Sequence, residues 1–135
     1  MSPCYILMHP VMRITKYWGN KIMKGISQLF KAFSDESRLR IINLLLQGEL
    51  CICNLTDILE MPQSKVSRHM AYLKHSGVVD DRREGIWVYY SLCEPKDRAH
   101  ASILQSLESS FAEYDIFKHD LEKLKQLKPK NSCVL

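Results

Sequence analysis

Two cysteines one residue apart, Cys51 and Cys53, are the chain's most chemically loaded positions. Thiolate sulfur is a soft donor, so the pair favours thiophilic ions such as As(III), Sb(III), Cd(II), Pb(II) or Zn(II) over hard cations. Two sulfurs hold such ions incompletely, because each takes three or four ligands. Three further cysteines, Cys4, Cys93 and Cys133, could complete the set. Cys4 and Cys133 rank close together as a third ligand, and Cys93 ranks lower. Residues two apart in an α-helix diverge by about 200° around the axis. A third helix over roughly residues 51–59 would therefore have to unwind or extend before both sulfurs faced one ion, disturbing its packing on the following helix. That is one way for ligand binding to shift a second equilibrium. A nearby helix N-terminus would favour the thiolate. The same thiols could instead serve as a redox or persulfide switch, or pack as small hydrophobes.

The second group able to do chemistry is polar and basic. Gln63, Ser64, Lys65, Ser67 and Arg68 open a helix expected over about 63–76, with Val66, Met70 and Leu73 pointing inward. Helix N-terminal side chains reach base edges in the major groove of duplex DNA, with Gln suited to adenine and Arg to guanine. Ser64 and Ser67 can reach phosphate or base at close approach, and Lys65 offers a phosphate contact. Arg82 and Arg83, expected at the tip of a β-hairpin, would meet the DNA backbone or minor groove. His69 and His75 read as helix-surface or packing residues.

The elements that position these groups follow from periodicity. Residues 1–20 are expected to form an irregular or partly helical basic arm, and a helix is expected over 21–33. Ser34 is the expected N-cap of a second helix that ends at Gly48. Met61-Pro62 separates the third and fourth helices, giving a helix-turn-helix. Val78–Leu92 alternates as a hairpin, with the polar run Asp80–Gly85 as its turn. A long helix is expected from about Asp97 to Leu127. Its apolar stripe exceeds what one small core covers, which points to a homodimer joined through terminal helices. Residues 128–135 are left as a flexible tail. The fold class is mainly α with a β-hairpin, a winged helix-turn-helix over residues 21–127.

At 135 residues and a net charge of +4, the chain is one domain with a modest basic excess. The first 31 residues carry five basic side chains and no acid, which favours a polyanion partner. Five unevenly spaced cysteines do not read as a secreted disulfide framework. His9-Pro10 interrupts the only early apolar stretch, so a signal peptide is not expected, and no run would span a bilayer. A cytoplasmic protein with reduced thiols and no membrane partner follows. There is no Cys-x-x-Cys and no phosphate-binding glycine loop, so an enzyme is not expected.

Several stretches together resemble the ArsR/SmtB family of metal-sensing repressors, covering about residues 26–125. Leu-Cys-Ile-Cys-Asn-Leu at 50–55 is similar to that family's metal-binding box. Leu29–Asp35 with Arg38–Ile41 resembles its opening helices, Gln63–Met70 with Leu73 and Gly77 its recognition helix, and Gly85–Tyr90 its wing. The resemblance implies a homodimeric repressor on double-stranded operator DNA that dissociates when As(III), Sb(III) or a similar ion binds Cys51 and Cys53. Arsenic-sensing members most often add a third cysteine where this chain has Thr56. Cadmium- and lead-sensing relatives borrow N-terminal cysteines, which would give Cys4 that role. Asp97 and His100 do not match the spacing of the family's terminal-helix zinc site, and a helix cap is expected there instead.

Overall fold

A computed structural model describes residues 16–127, with side chains described from residue 24 onward. Cys4 and Cys133, and most of the basic arm, lie outside the described residues. The element order is α1 (Lys16–Ala32), α2 (Glu36–Leu45), β1 (Leu50–Cys51), α3 (Ile52–Leu59), α4 (Gln63–His75), β2 (Val79–Glu84), β3 (Trp87–Leu92), α5 (Arg98–Phe111) and α6 (Asp115–Leu127). This is the winged helix-turn-helix expected. Helix α1 begins at Lys16, five residues earlier than periodicity indicated.

The core lies where α2, α3 and α4 meet, filled by Ile41, Ile42, Leu44, Leu55, Ile58, Val66, Met70 and Leu73. The apolar residues inferred for α4 are its buried ones. Asp35, not Ser34, caps α2: its extended backbone lets the carboxylate accept the Arg38 N–H. Ser34 turns back and donates to the Lys31 carbonyl. Asp35 holds its carboxyl below the usual range despite partial burial, because the Arg38 N–H and nearby His69 favour the anion.

The wing differs from expectation in two respects. The charged run Asp80–Glu84 is strand β2, and the turn is only Gly85-Ile86, between the paired Glu84 and Trp87. Gly85 has φ +63, as the first central residue of a tight hairpin loop requires. Arg82 and Arg83 therefore lie along the strand, opposite Tyr89 and Val88, and the tip presents Ile86, 79% exposed. The hairpin also gains a third strand. Leu50 and Cys51 pair antiparallel with Tyr90 and Tyr89, giving the order β1-β3-β2.

The expected long terminal helix is two helices, broken between Phe111 and Asp115. Helix α6 folds back onto α2 and α3. Phe111, Phe117 and Leu124 are buried, so much of the stripe read as surplus is covered within the chain. Asp120, fully buried, receives two hydrogen bonds from the Arg40 guanidinium at 2.7 and 2.8 Å, and Asn43 donates to the Phe117 carbonyl. Lys123 donates to the Ile58 carbonyl at the end of α3. Asp97 caps α5 by accepting the His100 N–H, as expected.

Candidate functional site

Cys51 does not lie in a helix. It ends β1 with φ −72 and ψ 149, and it is the N-cap residue of α3, while Cys53 sits in that helix's first turn. The bend at this junction brings the two sulfurs to 2.9 Å. Unwinding is therefore not needed to bring them together, and that expectation is corrected: the extended residue that the pair requires is built into the β1–α3 junction. Two thiolates on one tetrahedral ion at ~2.3 Å each would stand about 3.8 Å apart, a spread within reach of side-chain rotation. With both cysteines reduced, the donor set fits a soft ion on chemistry and proximity.

Thr56, at the position where a third cysteine would follow, donates its hydroxyl to the Cys53 carbonyl at 2.7 Å and so closes the first turn of α3. Among the described residues, no group of three or more His, Cys, Asp or Glu is gathered as a metal site. Cys93 follows β3 four residues after Tyr89, the partner of Cys51. At about 3.3 Å per residue it lies roughly 13 Å along the strand from the pair. Burial pushes its thiol pKa up.

The pair is wired to the wing. Glu49, two residues before Cys51, accepts two hydrogen bonds from Arg82 at 2.6 and 2.8 Å, and Glu84 accepts a third at 2.9 Å. Arg82 also lies over the Tyr89 ring, 4.5 Å from its centroid, and Tyr89 is the strand partner of Cys51. The Arg82 bonds hold the Glu49 carboxyl below its usual range and raise the guanidinium's own pKa. Cys51, Tyr89, Arg82 and Glu49 thus form a closed circuit. The sequence showed Glu49 beside the thiols but gave it no partner, since Arg82 lies 33 positions away.

Gln63, Ser64, Lys65 and Arg68 are exposed on α4 and Ser67 is partly so. Pro62 precedes the helix without a side-chain cap. On the wing, Arg83 is exposed, whereas Arg82 is committed to Glu49 and Glu84.

Comparison with known proteins agrees with this arrangement. Residues 35–81 match the model for "Bacterial regulatory protein, arsR family". The chain is 52% identical over 66 residues to the arsenical resistance operon repressor of Escherichia coli (strain K12), covering 48% of this chain and 56% of that one. It spans about half the length of the arsenic-resistance regulators it matches. It is 38% identical over 89 residues to the cadmium resistance transcriptional regulatory protein CadC homolog of Staphylococcus aureus, covering 65% of this chain and 74% of that protein. The solved structure of HlyU from Vibrio cholerae N16961 superposes with a TM-score of 0.61 at 32% identity, covering 68% of this chain and 97% of that one. No described helix is long and apolar enough to cross a membrane. With a helix-turn-helix, a three-stranded wing and relatives matched over most of their own length, the chain belongs to the ArsR family of DNA-binding transcriptional regulators.

Proposed function

We propose that the protein is a homodimeric repressor that leaves its operator when As(III), Sb(III) or another thiophilic ion binds Cys51 and Cys53. The observation that carries this reading is the 2.9 Å approach of the two sulfurs at a junction whose strand belongs to the wing sheet. A bound ion supplies a centre that fixes the sulfur separation and draws in a further donor. The chain's own residues do the rest. Drawing that further donor onto the ion pulls on Cys51, hence on the β1–β3 pairing, and with it on Tyr89 and the Glu49–Arg82 bonds. The wing then changes its charge and position relative to α4. A ligand acts only through its different affinity for two states, and typical couplings change affinity by about 5–150-fold.

DNA contacts are assigned to Gln63, Ser64, Lys65, Ser67 and Arg68 on α4 and to Arg82 and Arg83 on the wing, with Arg82 oriented by Glu49 in the ion-free state. Dimerisation is assigned to the large apolar side chains left exposed on the outer helices, Phe30 on α1 and Tyr114 and Ile116 where α5 turns into α6. The third ion ligand is assigned to Cys4 or Cys133, since Cys93 lies too far along β3. Similarity to the cadmium regulator favours Cd(II) as a second reading of the same site, with Cys4 completing it.

The test is release of a duplex selected from a random pool by the protein itself. Under strict reduction, arsenite, antimonite and cadmium are titrated against the bound complex. Release at stoichiometric arsenite or antimonite is expected, and release by cadmium alone moves the reading to the second ion. Release only after oxidation, with no response to any ion, overturns both in favour of a thiol redox switch.

A further inference from the structure

An open cleft lies between the start of α2 and one side of α4, lined by Arg38, Lys65, Arg68, His69 and Tyr72. Lys65, Arg68, His69 and Tyr72 share a stripe because they fall at three- and four-residue steps on α4. Arg38 closes the other side. Its Nε donates to the Ala32 carbonyl at 2.7 Å and its Nη2 to the Lys31 carbonyl at 2.9 Å, both at the end of α1. The Tyr72 ring lies 4.2 Å from the guanidinium carbon. Two carbonyls and a ring face thus fix the guanidinium plane, while Nη1 makes no hydrogen bond among the described residues. A fixed fork loses little side-chain entropy when it binds an oxyanion. Asp35 is the acid facing the cleft. Its Oδ1 already accepts the Arg38 N–H and lies 3.8 Å from His69 Nδ1.

We propose that this cleft seats one phosphate of the DNA backbone, held by Arg38, Lys65 and His69, beside the base-reading residues of the same helix. The inference rests on the DNA-binding reading and adds a binding site to it. Arg38 lies outside the recognition helix and His69 reads from sequence as a packing residue, so neither is a base-reading group. The site splits α4 into two functions: Gln63, Ser64, Ser67 and Arg68 face bases, and Lys65 and His69, with Arg38 across the cleft, fix register on the backbone. The groups around His69 are Asp35 at the α2 cap, Arg38 on α2, and Lys65 and Arg68 on its own helix. Burial lowers its pKa, Asp35 opposes that shift and the three cations add to it. A phosphate in the cleft adds negative charge, so seating it draws a proton onto the imidazole.

The test uses the full chain and a 30-base-pair duplex of random sequence, because a phosphate contact does not depend on base sequence. Arg38→Gln and Tyr72→Leu are each expected to lower the slope of log affinity against log salt by about one per subunit, and to weaken binding about fivefold at 0.15 M salt. Gln105→Ala, exposed on α5, leaves the slope as in wild type. Because Arg38 also ties α1 to α2, a second readout is taken on the unmodified protein. The His69 imidazole pKa, followed by NMR, is expected to rise on adding duplex and not on adding inorganic phosphate at equal ionic strength. Wild-type binding with unchanged slopes in both variants, or a His69 pKa indifferent to duplex, overturns the phosphate site alone. An equal response to inorganic phosphate overturns its assignment to DNA. Absence of any salt-dependent binding by the wild type removes the DNA-binding reading and this site together.

Discussion

The recognition helix and the wing both carry arginine toward the surface assigned to DNA, but they hold it differently. On α4, Lys65 and Arg68 make no ion pair among the described residues, and Arg38 beside them is fixed with a free edge. On the wing, Arg82 is bound by Glu49 and Glu84, and Asp81 holds Lys74 from the base of α4 at 2.9 Å. The helix is a ready cationic surface. The wing's charge is conditional, and the group setting the condition lies two residues from Cys51. In this account a signal at the thiols need not dismantle the helix-turn-helix. It has only to alter which partner Arg82 keeps.

Four substitutions or conditions test that contrast, from the largest effect down. Both surfaces rest on one platform, α2, which the Arg40–Asp120 pair ties to α6. Asp120→Ala leaves a largely buried guanidinium unpaired and is expected to cost about 3–5 kcal/mol of stability. Urea unfolding measures it, and a loss well below that range would show that α6 is dispensable to the platform. Next, Arg68→Ala on the helix is expected to weaken specific operator binding by about 1–3 kcal/mol in a direct binding titration. An unchanged affinity would place base reading elsewhere on α4.

Glu49→Gln sharpens the comparison from the other side. It removes the charge that holds Arg82 and, like ion binding, is expected to loosen the wing and weaken ion-free DNA binding by up to about fivefold, one phosphate contact's worth. It is also expected to shrink the response to arsenite. Tighter binding would mean that the Glu49–Arg82 pair restrains the wing instead of shaping it for DNA. The smallest effect concerns His100, buried where the chain leaves the wing. Its Nδ1 accepts the Lys96 N–H, and Nε2 has no partner among the described residues. Burial lowers its pKa from 6.5. The unfolded chain then binds the proton more readily, so stability present above pH 6.5 falls as pH drops below it toward the folded value. His100→Gln, which keeps an acceptor for Lys96, is expected to flatten that part of the stability–pH curve.

Much of this was legible from residue types and spacing. Local signals located the helix-turn-helix, the buried face of α4, the Asp97 cap and the hairpin. Contacts between residues distant in sequence were not legible. Asp115 could start a new helix, but the burial of Phe117 and Leu124 and the Arg40–Asp120 pair, 80 positions apart, which make folding back onto α2 and α3 favourable, give no local signal. The two-residue strand β1 is too short for alternation to reveal, yet it moves Cys51 out of the helix and settles the geometry of the pair. The polar run Asp80–Glu84 reads as a turn because its charges mask a strand whose side chains find partners on β3, α4 and Glu49.

The account stands on the thiol pair acting through the strand it terminates. The most direct measurement is arsenite-driven release of the selected duplex by wild type and by Cys51→Ser/Cys53→Ser, both reduced and at equal ion-free affinity. Release by the wild type and none by the double variant is the predicted result. Equal release by both would contradict it.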